Sequence, residues 1–583
     1  MNLDTVEKAQ ALCASSTVPE GGTGNPPCGR TLHFGVFFDG FGCSVGKNAV
    51  NQVSNVGRLF TAYPDPLKDD TFNSYRSIYV SGLGAPYDAP MSNIVAGATT
   101  TAIRATAEAV QGTVQMQAAK SVLKARSVDK WWENFQRDIN EIRSQPLKGA
   151  KALGRNTATD AIKILLLTGV EAVPALRDSK WFGVAVNSGT DTRLIDALAR
   201  FRQECEKVKQ SSDTVLRTIK VSVFGFDLGA TFARAFLREL LKKPVPGVEL
   251  QLVFAGLFDA VDRSSANEPI DELYLPDKLD DKGFVPQQVQ AVLHLIAAHE
   301  RRFYRKVRLL GGQRRGWSEV LMPGVSEDIG GGLAAGEQKL SADLALVCLH
   351  KMYRSAYKAG VPFPQLESLQ KVDPDTAELF KFKDQINQRG AEALVKHYLR
   401  SSGQHAPGDK GFTVHMRLYI RWLAHLWQAY SVALKALNEE DDRLHASQFD
   451  SNTISGLLGR PHESSAHREE RLQRTKEVRQ ERDTLQQKLG WLKEVAEEAA
   501  VLRNRHNLDG VESTGRNREL FLIQQQLLQE WTTQPVSALD ATTIDLFTYF
   551  MHDRLVLSQE QQVATLAGRK HYFAVRVCES PKD

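Results

Sequence analysis

The chain lacks any uninterrupted apolar run of the ~18 residues that a membrane-spanning helix requires. The nearest stretches are 93–119, broken by Arg104 and Glu108, and 162–176, broken by Glu171 and Pro174, and both are expected as buried helices. The first sixteen residues contain no basic segment followed by an apolar core and a small-residue cleavage site. Synthesis in the cytoplasm without a cleavable signal is therefore expected, and export would need another route. Cysteine is scarce, with six in 583 residues (13, 28, 43, 205, 348 and 578) and no CxxC spacing. That pattern excludes a zinc ribbon and a disulfide frame and points to free thiols. Excess charge is missing too: 73 Lys and Arg against 69 Asp and Glu leave +4, with no dense basic block, so nucleic acid is not an expected partner.

What is present is enough apolar content, 42%, for two or three domains. Residues 1–30 are rich in Gly and Pro without periodicity and read as a mobile arm. From 31 to about 405, short β-rich runs alternate with helical spacings. Thr31 to Phe38 and Ser77 to Val80 read as buried strands ending at glycine turns, with a helix at Asn55 to Tyr63 between them. Thr192 to Val208 reads as an amphipathic helix, Thr218 to Phe224 as a strand, Ala230 to Leu241 as a helix and Glu249 to Phe254 as a strand. Such alternation specifies an α/β fold, a mainly parallel sheet with helices on both faces and a helical insertion at about 90–190. From about 406 to 583 a helical region is expected, with an aromatic-rich helix over Val414 to Leu437 and a charged arm over 461–505 carrying near-heptad apolar steps.

The strongest local signal is Val221 to Phe236, in which strand-like residues run into Gly225-Phe226-Asp227-Leu228-Gly229 and then into a helix. Glycine on both flanks of one polar residue, between strand and helix, is the pattern of a nucleophile elbow. Side chains two positions away would strike the strand or the helix. The helix amino end also supplies a positive dipole and N–H groups at the reacting atom. An alternative without chemistry has Asp227 capping the following helix.

Eight segments in order carry a resemblance. These are His33 to Gly40, Ser54 to Leu59, Tyr79 to Gly84, Gly225 to Arg234, Gly256 to Val261, His299 to Arg302, Pro323 to Gly332 and Phe550 to Asp553. Together the chain resembles the type VI secretion lipase effectors built on an uncharacterised α/β-hydrolase domain. The resemblance implies an α/β-hydrolase fold and an antibacterial or anti-host phospholipase acting on membrane lipid. It further implies no cofactor and no metal, export by the type VI apparatus to a target periplasm, and partnership with a spike or chaperone protein and an immunity protein. It assigns a Ser, Asp and His triad to positions 227, 259 and 326. Here the catalytic positions hold Asp227, Asp259 and Ser326, so only the aspartate is retained. Asp39, Gly40, Phe41, Leu228 and Asp328 line the site by the same resemblance, with Phe41 replacing the usual threonine of the first turn.

Loss of the hydroxyl or of the imidazole costs on the order of 10⁴ to 10⁶ in turnover, so ester hydrolysis is expected to be weak or absent. Two alternatives stand beside this. A carboxylate at 227 could itself attack an alkyl carbon and form an ester intermediate, given a base for the hydrolytic water. His294, His299 and His552 are the candidate bases, the first two expected on a helix. The other alternative is a non-catalytic adaptor or decoy. Asp39, Glu327 and Asp328 also offer the oxygen ligands that a hard cation favours. In the plainer reading, Asp39 and Asp328 accept N–H groups of the glycine turns that follow them.

Overall fold

The computed structural model describes residues 29–45, 53–83, 85, 87, 190–211, 214–261, 284–302, 305–312, 314–333, 338–453, 464–508, 516–532, 539–553 and 572–579. The expected arm up to residue 28 and the helical insertion at about 90–190 up to residue 189 lie outside these residues, while Arg30, expected in the arm, already opens the first strand. Among the described residues no helix is long and apolar enough to cross a membrane. The chain divides into two compact units: 1–412 with 548–569 and 576–583, and 413–547 with 570–575.

In the first unit, apart from the two-residue hairpin strands Gln385–Ile386 and Arg389–Gly390, the strands are β1 (Arg30–Phe38), β2 (Asn73–Val80), β3 (Leu216–Phe226), β4 (Glu249–Phe258), β5 (Ala291–Ala297), β6 (Val307–Arg308), β7 (Trp317–Met322) and β8 (Cys578–Glu579). Six of them form one sheet in the order β2-β1-β3-β4-β5-β7, parallel at every pairing. The two-residue strands β6 and β8 pair in parallel beside it. The covering helices are α1 (Asn55–Ala62), α2 (Thr190–Gln210) and α3 (Leu228–Lys242), followed by the short α4 (Ser326–Gly330), then α5 (Leu344–Lys358) and α6 (Ala391–Ser402). This is the expected α/β architecture.

Alternation along β1 shows why both faces are buried. Phe34 stacks toward Phe201 of α2, and Phe38 toward Phe232 and Phe236 of α3. Phe37 points the other way, against Phe60, Tyr63 and Phe224. A strand covered on both sides carries a near-continuous apolar run instead of an alternating one, as Phe34 to Phe38 does.

His294 and His299 correct the sequence reading: His294 lies on β5 and His299 in the bend just after it, neither on a helix. Ala291 to Ala297 is a short apolar run whose period does not separate a buried strand from a buried helix. Pairing with β4 and β7 decides it.

Strand order reverses between β1 and β3, and the crevice at the carboxyl ends of the strands flanking such a reversal is where α/β sheets place ligands. Asp39 follows β1 and Asp227 follows β3. The turn at 227 is tight enough to exclude side chains on both flanks. A Cβ on Gly225 would lie 2.5 Å from the Gly229 carbonyl oxygen and 2.6 Å from Ala230 N. One on Gly229 would lie 2.5 Å from the Asp39 carbonyl oxygen. These neighbours are backbone and cannot swing aside, so Gly229→Ala is expected to destabilise the first unit by about 2–3 kcal/mol, read from its urea midpoint.

The second unit contains helix α7 (Asp409–Thr453) from residue 413 on, α8 (Ser465–Leu489), α9 (Leu492–Leu508) and α10 (Arg516–Thr532). The expected charged arm is thus two helices, interrupted at Gly490-Trp491. Tyr419 and Trp422 pack on Phe547, and Trp531 packs on Trp427 and Phe573. Glu530 takes guanidinium groups from both Arg417 and Arg421. Charged pairs Arg474 to Glu440 and Arg482 to Asp441 join α8 to α7, in partly exposed positions where each adds little.

Candidate functional site

Asp227 has φ 57° and ψ −127°, a conformation that L-residues adopt only under constraint. Three backbone hydrogen bonds impose it: the Asp227 N–H donates to the Phe258 carbonyl at 2.9 Å, and its carbonyl accepts from Ala230 at 3.1 Å and Val261 at 3.3 Å. The side chain makes no capping bond to α3, so the helix-cap alternative does not describe it. The strained turn presents the carboxylate instead, and the Phe41 N–H, from the turn after β1, donates to its Oδ2 at 3.4 Å.

The carboxylate is not free. Arg305 Nη1 lies 3.0 Å from Asp227 Oδ1 and donates to Ser326 Oγ at 3.3 Å. One guanidinium therefore joins residue 227 to residue 326. Burial pushes the Asp227 carboxyl up, and Arg305 pulls against it. Burial and Arg302 depress the Arg305 guanidinium, but Asp227, Glu327 and Glu300 outweigh them and hold it above its ordinary value.

Charges alternate beyond this pair. Arg302 Nη2 bonds Glu300 at 2.6 Å and Glu327 at 2.7 Å, and the Ser326 N–H donates to Glu300 at 3.2 Å. Burial raises the Glu300 carboxyl, but Arg302 overrides it and holds the group at about 2.

Asp259, fully buried with φ 49°, is held equally firmly. Its Oδ1 accepts the Ala297 N–H at 2.9 Å, and Arg576 grips both carboxylate oxygens, Nη2 at 2.9 Å from Oδ2. Arg576 Nε also donates to the Arg305 carbonyl at 2.9 Å. One arginine near the chain's end thereby fixes both Asp259 and the backbone of the residue that occupies the elbow.

The three histidines differ. His294 Nε2 accepts from Ala260 N at 3.0 Å and its Nδ1 meets Glu319 at 2.9 Å, and burial lowers its pKa. His299 Nδ1 accepts from Gly324 N at 2.9 Å, with Nε2 3.4 Å from Tyr398 Oη. Both imidazoles have two partners, so neither is poised as a base. His552 is different: its Nδ1 lies 2.7 Å from Asp328 Oδ1, while its Nε2 is buried and has no hydrogen-bond partner among the described residues. Asp328 with His552 thus forms an imidazole–carboxylate pair of the kind that orients a general base.

Asp328 corrects one expectation. It does not accept the N–H groups of the glycines after it. Its Oδ2 takes those of Val325 and His552, each at 3.0 Å, the first because α4 turns the carboxylate back over its N-cap residue. Asp39 behaves as expected, accepting from Gly40 N and Ser54 Oγ, each at 2.7 Å, and from Tyr79 Oη. Among the described residues no group of His, Cys, Asp and Glu is arranged to hold a metal ion. Cys43, in the same turn as Phe41, is no substitute nucleophile, because burial, Asp39 and Asp227 push its thiol well above the ordinary range.

Burial lifts the Asp39 carboxyl to about 6 against the hydrogen bonds it accepts. The folded chain then binds a proton between about pH 4 and pH 6 that the unfolded chain does not, so this group adds stability below its unfolded pKa and loses it as pH rises through 6. Asp39→Asn is expected to fall short of the wild type by about 2–3 kcal/mol more at pH 4 than at pH 7.5, read from paired urea titrations.

Of the residues expected at the site, Asp227 and Ser326 are brought together through Arg305 and Phe41 donates directly to Asp227, while Asp259 is bound to Arg576. Gly40 and Leu228 flank the two turns. Arg305 and Arg576 lie outside every resembling segment, and Arg302 and Glu300 lie inside one that assigns them no role.

No family model matches the chain, and no curated protein does. Among solved structures it is similar to the crystal structure of an uncharacterized protein from Pseudomonas aeruginosa, with a TM-score of 0.53 and 16% identity over 100% of this chain and 83% of that one. That likeness shows a shared fold. The structure of the Tle1 effector bound to the VgrG spike from the Type 6 secretion system overlaps with a TM-score of 0.33 and 15% identity, over 68% of this chain and 86% of that one. An overlap of that depth decides nothing about this chain.

Proposed function

We propose that the chain is a hydrolase-type effector scaffold, similar to the type VI secretion lipase effectors, in which an ion pair has replaced the ester-cleaving pair. The observation that carries this is Arg305 bonded to both Asp227 and Ser326. Serine hydrolases need a hydroxyl and an imidazole in contact at these two places. A guanidinium between a carboxylate and a hydroxyl can neither remove a proton nor return one, since it stays protonated at every working pH.

The reading keeps the rest of the resemblance: manufacture in the bacterial cytoplasm, export by the type VI apparatus with a spike or chaperone partner, and a membrane surface as target. The scaffold then acts by binding instead of by hydrolysis. The retained elbow strain supports descent from a catalytic turn, because a purely structural strand-to-helix turn has no need of φ 57° at a non-glycine residue.

The decisive assay compares the wild-type chain with Asp227→Ala on phospholipid vesicles and soluble lipid esters. Equal, background-level release of fatty acid is expected. Release by the wild type that disappears in Asp227→Ala would establish the carboxylate as a nucleophile and overturn the proposal.

A further inference from the structure

The sheet order leaves β7 at an edge, and a cavity of about 780 Å³ opens beside its amino half. The elbow stands at the carboxyl ends of the strands, so nothing at this cavity depends on whether that site is active. Its lining includes Gly311, Arg314, Arg315, Trp317, Glu319 and Pro407.

The hydrogen-bond phase of β7 decides what the strand presents there. Val292 N donates to the Gly316 carbonyl and Ala298 N to the Met322 carbonyl, so the even-numbered residues of β7 turn their main-chain groups to β5. The odd-numbered residues turn theirs outward. Trp317 N is taken by the Arg314 carbonyl at 2.9 Å, whereas the Trp317 carbonyl and both main-chain groups of Glu319 have no hydrogen-bond partner among the described residues. An edge of this kind is a template for another extended chain.

Charge at the start of β7 selects the direction of that chain. Arg315 is exposed and, among the described residues, has no ion pair or hydrogen bond. Arg314 lies over the Trp317 ring at 5.4 Å and donates to the Gln287 carbonyl, with no carboxylate partner among the described residues. Against these two guanidinium groups the lining holds one carboxylate, that of Glu319. It is already engaged, for its Oε1 accepts the Leu310 N–H at 2.8 Å and meets His294 Nδ1 at 2.9 Å. The cavity therefore carries excess positive charge where β7 begins. A strand added parallel would bring its amino end to these arginines and be repelled. One added antiparallel brings its carboxyl end, and the guanidinium fork matches both oxygens of a carboxylate. The N–H groups of Gly311 and Gly312, in the exposed turn of the same lining, have no partner among the described residues and add donors for that carboxylate.

We infer that the outer edge of β7 binds the carboxyl-terminal end of an extended polypeptide, added antiparallel, with its last carboxylate on Arg315 and its main chain on Glu319. The cavity volume falls within the range of ligand clefts, ~300–1,000 Å³.

The probe is the acetylated pentapeptide Thr-Val-Thr-Val-Val with a free carboxylate, titrated calorimetrically into the full chain. It is expected to bind at least about tenfold more tightly than its carboxamide, which cannot form the charge-assisted bonds. Arg315→Gln, at an exposed position, is expected to abolish that preference and leave the carboxamide unaffected. Two further peptides, N-methylated on alternate amides in the two opposite phases, separate strand addition from simple anion capture. One phase should lose binding at least about tenfold and the other keep it, because only one edge of an added strand faces β7. No binding of the free acid, equal binding of acid and carboxamide, a preference that survives Arg315→Gln, or equal binding of the two methylated peptides overturns the inference. So does a wild-type dimer that the free acid does not dissociate, since a second copy would then hold the edge.

Discussion

Arg576→Leu is expected to destabilise the first unit by about 3–5 kcal/mol, the range seen when one member of a buried ion pair is removed. Asp259 is fully buried and Arg576 is 3% exposed, so water cannot take over the missing bonds. What remains is a carboxylate held by the Ala297 N–H alone on that oxygen. The Arg305 carbonyl loses its donor as well. The size of the effect comes from stranding Asp259, not from the net value of the pair. Adding Asp259→Asn to Arg576→Leu should therefore recover about half of the loss, because a neutral amide is far less costly to bury. Urea midpoints of the wild type, the single variant and the double variant decide it. A loss below about 1 kcal/mol in the single variant would mean that the pair is solvated in solution.

The same arginine shows where the sequence stops being informative. The turn at Gly225 to Gly229 is legible because its cause is local: two glycines are required within five residues by backbone collisions on either side. Strands β1, β3 and β4 are legible because burial on both faces leaves long apolar runs. β5 is not, since its seven residues fit a buried helix equally well until β4 and β7 are known to flank it.

Side-chain partners are harder still. Arg576 meets Asp259 across 317 residues, and His552 meets Asp328 across 224. Asp328 and His552 stand out individually in the sequence, but nothing local says that they pair. Arg305 is one of 73 basic residues and lies outside every resembling segment. The resemblance, not the composition, marks Asp227 and Ser326 as unexpected residues at their positions. The fold is needed to show that a guanidinium stands between the two.

That guanidinium sets the outcome of any attempt to restore hydrolysis. Asp227→Ser with Ser326→His supplies the missing hydroxyl and imidazole but keeps Arg305, which would donate to the acceptor nitrogen of the imidazole and repel the imidazolium formed during attack. The double variant is expected to remain near background on lipid esters. Adding Arg305→Ala removes both effects, and turnover is expected to rise on the order of 10³-fold above wild type. The gain should stop well short of an intact triad, because Arg576 occupies both oxygens of Asp259 and offsets the field it could offer an imidazolium at 326. Initial rates of fatty-acid release, measured for wild type, double and triple variants on one vesicle preparation, give the order directly. A double variant as fast as the triple would show that Arg305 swings clear of the elbow, and the ion pair would then not be what silences it.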